Sequence, residues 1–153
     1  MDEKYMKVQK IVNGTVIDHI PAGRALDVYR VLNLSIEKGS ISILINTISA
    51  KAGRKDILKV ENVELTEEEV NRIALVAPEA TINIIRDGQV ARKFKVEIPE
   101  KVIGIMRCPN PNCITNQKEP VTTEFHLSSR KPLRYRCIYC ERETVDLVEN
   151  LMV

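Results

Sequence analysis

Tryptophan is absent and aromatic side chains are few, two Phe and four Tyr among 153 residues. Surfaces that read single-stranded nucleic acid stack bases on aromatic rings, so this shortage weighs against a nucleic-acid-binding module. Phosphate-cradling glycine loops are missing as well. With six glycines in all, the chain contains no G-x-x-x-x-G-K-[ST], no G-x-G-x-x-G and no G-x-S-x-G elbow. Charge of one sign is also lacking: 23 basic residues face 21 acidic ones, 15 to 14 up to Ile98 and 8 to 7 beyond it. That balance disfavours a broad polyanion-binding face and leaves room for a local pocket holding one phosphorylated ligand. The first residues, Met1-Asp2-Glu3-Lys4, are acidic and lack the apolar stretch of a signal peptide, so a cytoplasmic protein without membrane attachment is expected.

What is present is a globular mixture, 44% hydrophobic and 29% charged, of a length that suits one or two small domains. All four cysteines lie in the last third, as Cys108-x4-Cys113 and Cys137-x2-Cys140. Two short-spaced pairs in a chain without an export signal read as a four-thiolate zinc site rather than as two disulfides or unrelated core thiols. Each short loop must aim two sulfurs at one ion about 2.3 Å away, and four thiolates close the coordination shell, so the metal is expected to be structural. The tract Thr122 to Leu127 has the β-rich character of a zinc-ribbon strand, with His126 facing solvent or a partner. About 55 residues from Pro99 onward carry few large apolar groups, and a core that small should depend on its metal.

The first hundred residues alternate strand and helix signals. Apolar positions at Val8, Ile11 and Val12, then Val16, Ile17 and Ile20, bracket Asn13-Gly14 and predict a strand pair or one bent strand. Pro21 and Gly23 open a helix through Ala25, Val28, Tyr29 and Leu32 that ends before Glu37. Ser40 to Ile48 alternates as a strand, a loop covers Ser49 to Arg54, and a short strand follows at Asp56 to Glu61. Thr66-Glu67-Glu68-Glu69 is a capping box for a helix reaching Ala77. Thr81 to Arg86 and Gln89 to Ile98 pair through Asp87-Gly88. The expected fold is α+β: a ferredoxin-like antiparallel sheet with two helices over residues 1 to 98, then a zinc-ribbon-like β domain over 99 to 153.

Asp18 beside His19 invites an acid and base reading, but adjacent strand residues point to opposite faces, which argues against a dyad. Neither a nucleophile nor an open metal position accompanies the pair. The basic residues form two groups, Lys51, Arg54, Lys55 and Lys59 around one loop and strand, and Arg92, Lys93 and Lys95 on the last strand. Were they to converge, they would neutralise a triphosphate; on their own, exposed lysines are ordinary solvated faces. The alternative of a zinc-ribbon nucleic-acid-binding protein stays open at this level, with the aromatic shortage against it.

TVIDHIPAG (Thr15 to Gly23), GRKDILKVEN (Gly53 to Asn62), APEATIN (Ala77 to Asn83), CPNPNCIT and CIYCE closely resemble the regulatory chain of aspartate carbamoyltransferase, in order and spacing over essentially the whole chain. The resemblance implies a non-catalytic subunit whose N-terminal domain binds CTP or ATP, with UTP a further candidate, to control pyrimidine biosynthesis. It implies a homodimer formed through that domain, and a zinc domain docked on the catalytic chain. Asp18 and Lys59 match the ribose-contacting acid and lysine, Lys93 the phosphate-binding lysine, and His19 a phosphate-site position. Val8, Ile11, Val16, Asn83, Ile85 and Val90 match the shell around base and sugar, with main-chain groups of Gln9, Lys10 and Ile11 reading the base. The zinc ligands it implies are Cys108, Cys113, Cys137 and Cys140. No nucleic-acid partner is expected.

Overall fold

A computed structural model describes residues 11–32, 39–49, 53–118 and 121–152, divided between two compact units, Met1–Glu97 and Ile98–Val153. The predicted strand through Val8 and the site positions Val8, Gln9 and Lys10 lie outside the described residues.

The first unit runs β1 (Gly14–Pro21), α1 (Ala25–Leu32), β2 (Ile41–Ser49), β3 (Gly53–Glu61), α2 (Glu67–Val76), β4 (Thr81–Arg86) and β5 (Gln89–Lys95). Its five strands form one antiparallel sheet in the order β2-β3-β1-β4-β5. The first four strands and two helices reproduce the expected ferredoxin-like arrangement, and β5 adds an edge. Alternation decides which face is covered. Ile17, Leu58, Val60, Ile82 and Ile84 are buried together with Val28, Val31 and Leu32 of α1 and Ile73, Ala74 and Leu75 of α2. The intervening residues, Val16, Lys59 and Asn83, are half-exposed and lie side by side on the opposite face. The helices thus cover one face and leave the other for function.

Local chemistry explains the element ends. Thr66 Oγ1 accepts from the Glu69 amide at 3.3 Å, and Glu69 Oε1 accepts from the Thr66 amide at 3.0 Å, as the capping box predicts. Gly14 stands at φ +146 with Val60 O 2.2 Å from where a Cβ would sit, so the close approach of β1 to β3 requires glycine. Two boundaries differ from expectation. Strand β3 starts at Gly53 rather than Asp56, because β2 pairs with it as far as Ser49 opposite Gly53. Strand β5 ends at Lys95 rather than Ile98: the Val96 amide makes one last cross-strand bond, to Ala80 O at 3.1 Å, but the Ala80 amide turns back to Ala77 O at 3.0 Å, and Pro99 restricts the residue before it.

The second unit holds β6 (Lys101–Ile103), β7 (Glu124–Arg130), β8 (Leu133–Cys137) and β9 (Glu143–Thr144) in an antiparallel sheet of that order. Phe125, Tyr135, Val102 and Met106 form its small core, and the Tyr135 hydroxyl donates to Pro99 O at 2.6 Å. Among the described residues, no helix is long and apolar enough to cross a membrane.

Candidate functional sites

The exposed sheet face of the first unit is built by register. Val16 lies opposite Lys59 on one side and Asn83 on the other, and Asn83 lies opposite Lys93. Lys59, Val16, Asn83 and Lys93 therefore form one row across β3, β1, β4 and β5. Its ends stand three strand spacings apart, roughly 14 Å. Each end is a cation and the middle is a valine beside an amide whose Nδ2 donates to Val16 O at 3.4 Å. Toward the β4–β5 turn, Ile85 faces Gly14 and Val90, and the Gly88 amide donates to Val12 O at 2.8 Å. Ile11 and Ile85 are buried, and Val90 is exposed.

On the other side of the row, toward the C-terminal end of β1, that strand departs from simple alternation. Ile17 pairs with Leu58 but Ile20 pairs with Asp56, so the Asp18-His19 segment carries one extra residue, and His19 adopts φ 58. This bulge interrupts the alternation from which Asp18 and His19 are expected to face apart. Asp18 is the register partner of Thr81, and His19 Nδ1 lies 3.1 Å from Thr81 Oγ1. They form no catalytic dyad, as expected: Asp18 Oδ1 accepts from the His19 main-chain amide at 2.6 Å and from Lys55 Nζ at 2.8 Å. Burial opposes the Asp18 charge, but the Lys55 and His19 bonds outweigh it and hold the carboxyl below its usual range.

Beyond Asp18 opens a cleft of about 470 Å³ lined by His19, Pro21, Ala22, Arg54, Lys55, Glu79, Thr81 and Lys95, among others. Of the predicted nucleotide-site residues, only His19 lines it. Arg54, Lys55 and Lys95 join it from the two basic groups noted in the sequence, and Thr81 from outside them. A two-residue period carries Lys59 back to Lys55, and Lys93 on to Lys95, along one face, which is the signal that finds them. Thr81 and Glu79 carry no such signal, because only the pairing of β4 with β1 brings them to His19.

In the second unit, the loop Cys108 to Cys113 and the loop Cys137 to Cys140 bring four sulfurs within 4.8 Å of one another. Cys108 Sγ lies 3.6 Å from Cys140 Sγ, and Cys113 Sγ lies 3.7 Å from Cys137 Sγ. Bonds of about 2.3 Å to a tetrahedral ion put sulfurs about 3.8 Å apart, which these distances match, while a disulfide requires about 2.05 Å. The donor set fits a closed tetrahedral metal. Cys108, Cys113 and Cys137 are buried. Without an ion, burial pushes the Cys108 thiol up to about 12, an expensive arrangement unless a cation compensates it. Thr115 Oγ1 donates to Cys113 Sγ at 3.2 Å, and Asn116 Nδ2 donates to the carbonyls of Cys108 and Asn110 at 2.9 and 2.7 Å, fixing the first loop. His126 is exposed and pairs with Glu124 at 2.6 Å, outside this cluster.

Comparison with known proteins agrees with both units. Residues 6–97 match the family model of the aspartate carbamoyltransferase regulatory chain, allosteric domain, and residues 100–146 match that of its metal binding domain. The aspartate carbamoyltransferase regulatory chain of Pyrococcus abyssi is 56% identical over 150 residues, covering 95% of this chain and 98% of the relative. Those of Methanopyrus kandleri and Methanocaldococcus jannaschii are 55% and 54% identical over 138 and 137 residues, covering 90% of this chain and 88% and 91% of the relatives. Both family models match in chain order, one over each unit, and relatives more than half identical cover nearly the whole length, so the chain belongs to the family of aspartate carbamoyltransferase regulatory chains, a non-catalytic subunit.

Proposed function

We propose that residues 1 to 98 bind CTP and ATP as allosteric effectors, and that residues 99 to 153 hold one structural zinc ion and dock on the catalytic chain in the cytoplasm. The row Lys59, Val16, Asn83 and Lys93 carries this reading. Apolar and amide groups in its middle suit a sugar and base, the half-buried Lys59 can donate to hydroxyls, and Lys93 with the Arg54, Lys55 and Lys95 cleft supplies charge for phosphates. Asp18 fits a ribose acceptor, because Lys55 and the His19 amide hold it charged. Ile11, Ile85 and Val90 flank the end that would take the base, with Val8, Gln9 and Lys10 expected to complete it. UTP remains a candidate third effector.

Zinc, when bound, supplies four thiolate bonds that tie the Cys108 to Cys113 loop to the β8–β9 end. Ile114, Ile138 and Tyr139, on or beside these loops, are 52, 40 and 42% exposed, an apolar patch that suits a protein partner. Homodimerisation is supported by the sheet edges. Strand β5 is guarded by Arg92, Lys93 and Lys95, whereas the β2 edge, ISILINTIS, has no charge along nine residues. An unguarded edge of that length calls for a cover, and a second copy of β2 provides one. An effector then controls the enzyme by binding one assembly state better than the other, with couplings of about 1–3 kcal/mol typical.

Isothermal calorimetry of CTP against the zinc-loaded chain, with ATP as competitor, tests the reading. Saturable, mutually competitive binding lost in Lys59→Ala is expected; no binding by the folded chain overturns it.

A further inference from the structure

Asp56 is wholly buried, and its carboxylate is held by main-chain amides. Its Oδ2 accepts from the amides of Gly23 at 2.8 Å and Ala25 at 2.9 Å, and its Oδ1 accepts from the amide of Asn46 at 2.7 Å. Those donors belong to the turn after β1, the first residue of α1, and the middle of β2, so one side chain binds three segments distant in sequence. Both strands flanking β3 bulge at this level. On β1 the register shifts between Ile17 and Ile20, the latter opposite Asp56; on β2 it shifts between Leu44 and Thr47, opposite Ile57 and Lys55. In each bulge one non-glycine residue sits in the left-handed region, His19 at φ 58 and Asn46 at φ 60.

Such conformations persist only where the surroundings over-determine them. A bulge also leaves ladder groups unpaired. The Asp56 oxygens accept from the Asn46 amide and from the helix-entry amides, whose dipole favours an acidic partner. On the other face of β3 the preceding residue, Lys55, reaches Asp18, and His19, Pro21, Ala22 and Lys55 together line the cleft.

We infer that Asp56 is a positioning residue: by fixing the two bulges and the entry to α1, it sets the geometry of Asp18, His19 and Lys55 at the cationic cleft. Its role in effector binding rests on the reading of that cleft as the phosphate end of the nucleotide site. An amide in place of the carboxyl group turns an NH2 toward at least one of the three amides, so either the β2 bulge or the entry to α1 loses an acceptor while side-chain volume is kept. Removing the extra residue from the pairing would return β1 to alternation and turn His19 away from Thr81.

The test uses the full zinc-loaded chain and two readouts. Carboxyl carbon NMR follows the Asp18 titration, and calorimetry follows inorganic tripolyphosphate. In Asp56→Asn the Asp18 midpoint should rise toward its ordinary 3.8 as the Lys55 contact loosens, and tripolyphosphate affinity should fall about tenfold, the scale of one charge-assisted contact. Leu75→Ala on α2, destabilising but remote from both bulges, should leave the Asp18 midpoint where it is. Gly23→Ala has open space for its methyl group but a φ of +93, so it displaces one donor while Asp56 stays; it should shift the midpoint the same way by less, and it decides the matter should Asp56→Asn fail to fold. An unmoved Asp18 titration in both bulge variants, or an equal shift in Leu75→Ala, overturns the inference. A parent chain that binds neither tripolyphosphate nor CTP overturns the effector reading instead, and the Asp18 titration still decides the role of Asp56.

Discussion

Asp18 illustrates how one residue's partners set a measurable property. Desolvation raises its pKa, and the Lys55 ammonium and His19 amide more than offset that, leaving it below 3.8. A carboxyl whose folded value is depressed contributes stability that is complete above its ordinary value and is lost as pH falls through the folded one. Thermal midpoints of the first unit should therefore hold level down to about pH 5 and decline below the ordinary carboxylate range of about 3.9, and Asp18→Asn should flatten part of that decline. A decline of unchanged size in Asp18→Asn would show that other carboxyls carry it. Lys93 makes the complementary case. It is exposed at the end of the row, so Lys93→Ala should leave the unfolding free energy within the small range of surface substitutions, about 0.5 kcal/mol. The same change should weaken triphosphate binding about tenfold by removing a charge-assisted contact. Unchanged affinity in calorimetry would remove Lys93 from the site.

At the level of elements, local rules act where the chain speaks to itself over a few residues. The capping box at Thr66 is such a rule, and Thr66→Ala should cost about 1 kcal/mol, seen as a lower denaturant midpoint at an unchanged slope. No change would mean that packing of Ile73 to Val76 alone holds α2 in place. The same locality made α2, the Asp87-Gly88 turn and the cysteine loops legible in the sequence. The bulge at Asp18 and His19 was not legible. The extra residue in β1 shows only in its pairing with β3, where Ile20 lies opposite Asp56, whose carboxylate in turn holds amides 31 and 33 positions away, and no window along β1 contains that strand. The cleft was half legible for the same reason. Lys55 and Lys95 belong to the basic groups visible in the sequence, but Thr81 and Glu79 reach the cleft only through pairing between β1 and β4. The early end of β5 follows from the turn on the partner strand, where the Ala80 amide bonds back to Ala77 O instead of across to β5.

The whole chain couples a unit with a substantial apolar core to one whose core is a handful of side chains around four sulfurs. Ile17, Ile20, Leu58, Ile73 and Ile82 are fully buried in the first unit, while the second relies on Phe125, Tyr135, Met106 and Val102. Binding free energy of a metal to a small cysteine domain is folding free energy, about 10–16 kcal/mol for structural zinc at neutral pH. A chelator should accordingly unfold residues 99 to 153 and leave the first unit folded, so that amide spectra lose dispersion for one set of resonances only. Cys140→Ser should act in the same direction, because a hydroxyl is a poor zinc ligand and the other three thiols lose their common cation. CTP binding by calorimetry should survive both treatments, since every residue of the row and the cleft lies in the first unit. Association with the catalytic chain should not survive, since the exposed apolar residues at the metal loops lose the support that presents them. Collapse of both sets of amide resonances together would show that the two units fold as one, and the effector signal would then have to pass through that shared stability rather than through a metal-braced domain that keeps its shape while its neighbour responds to ligand.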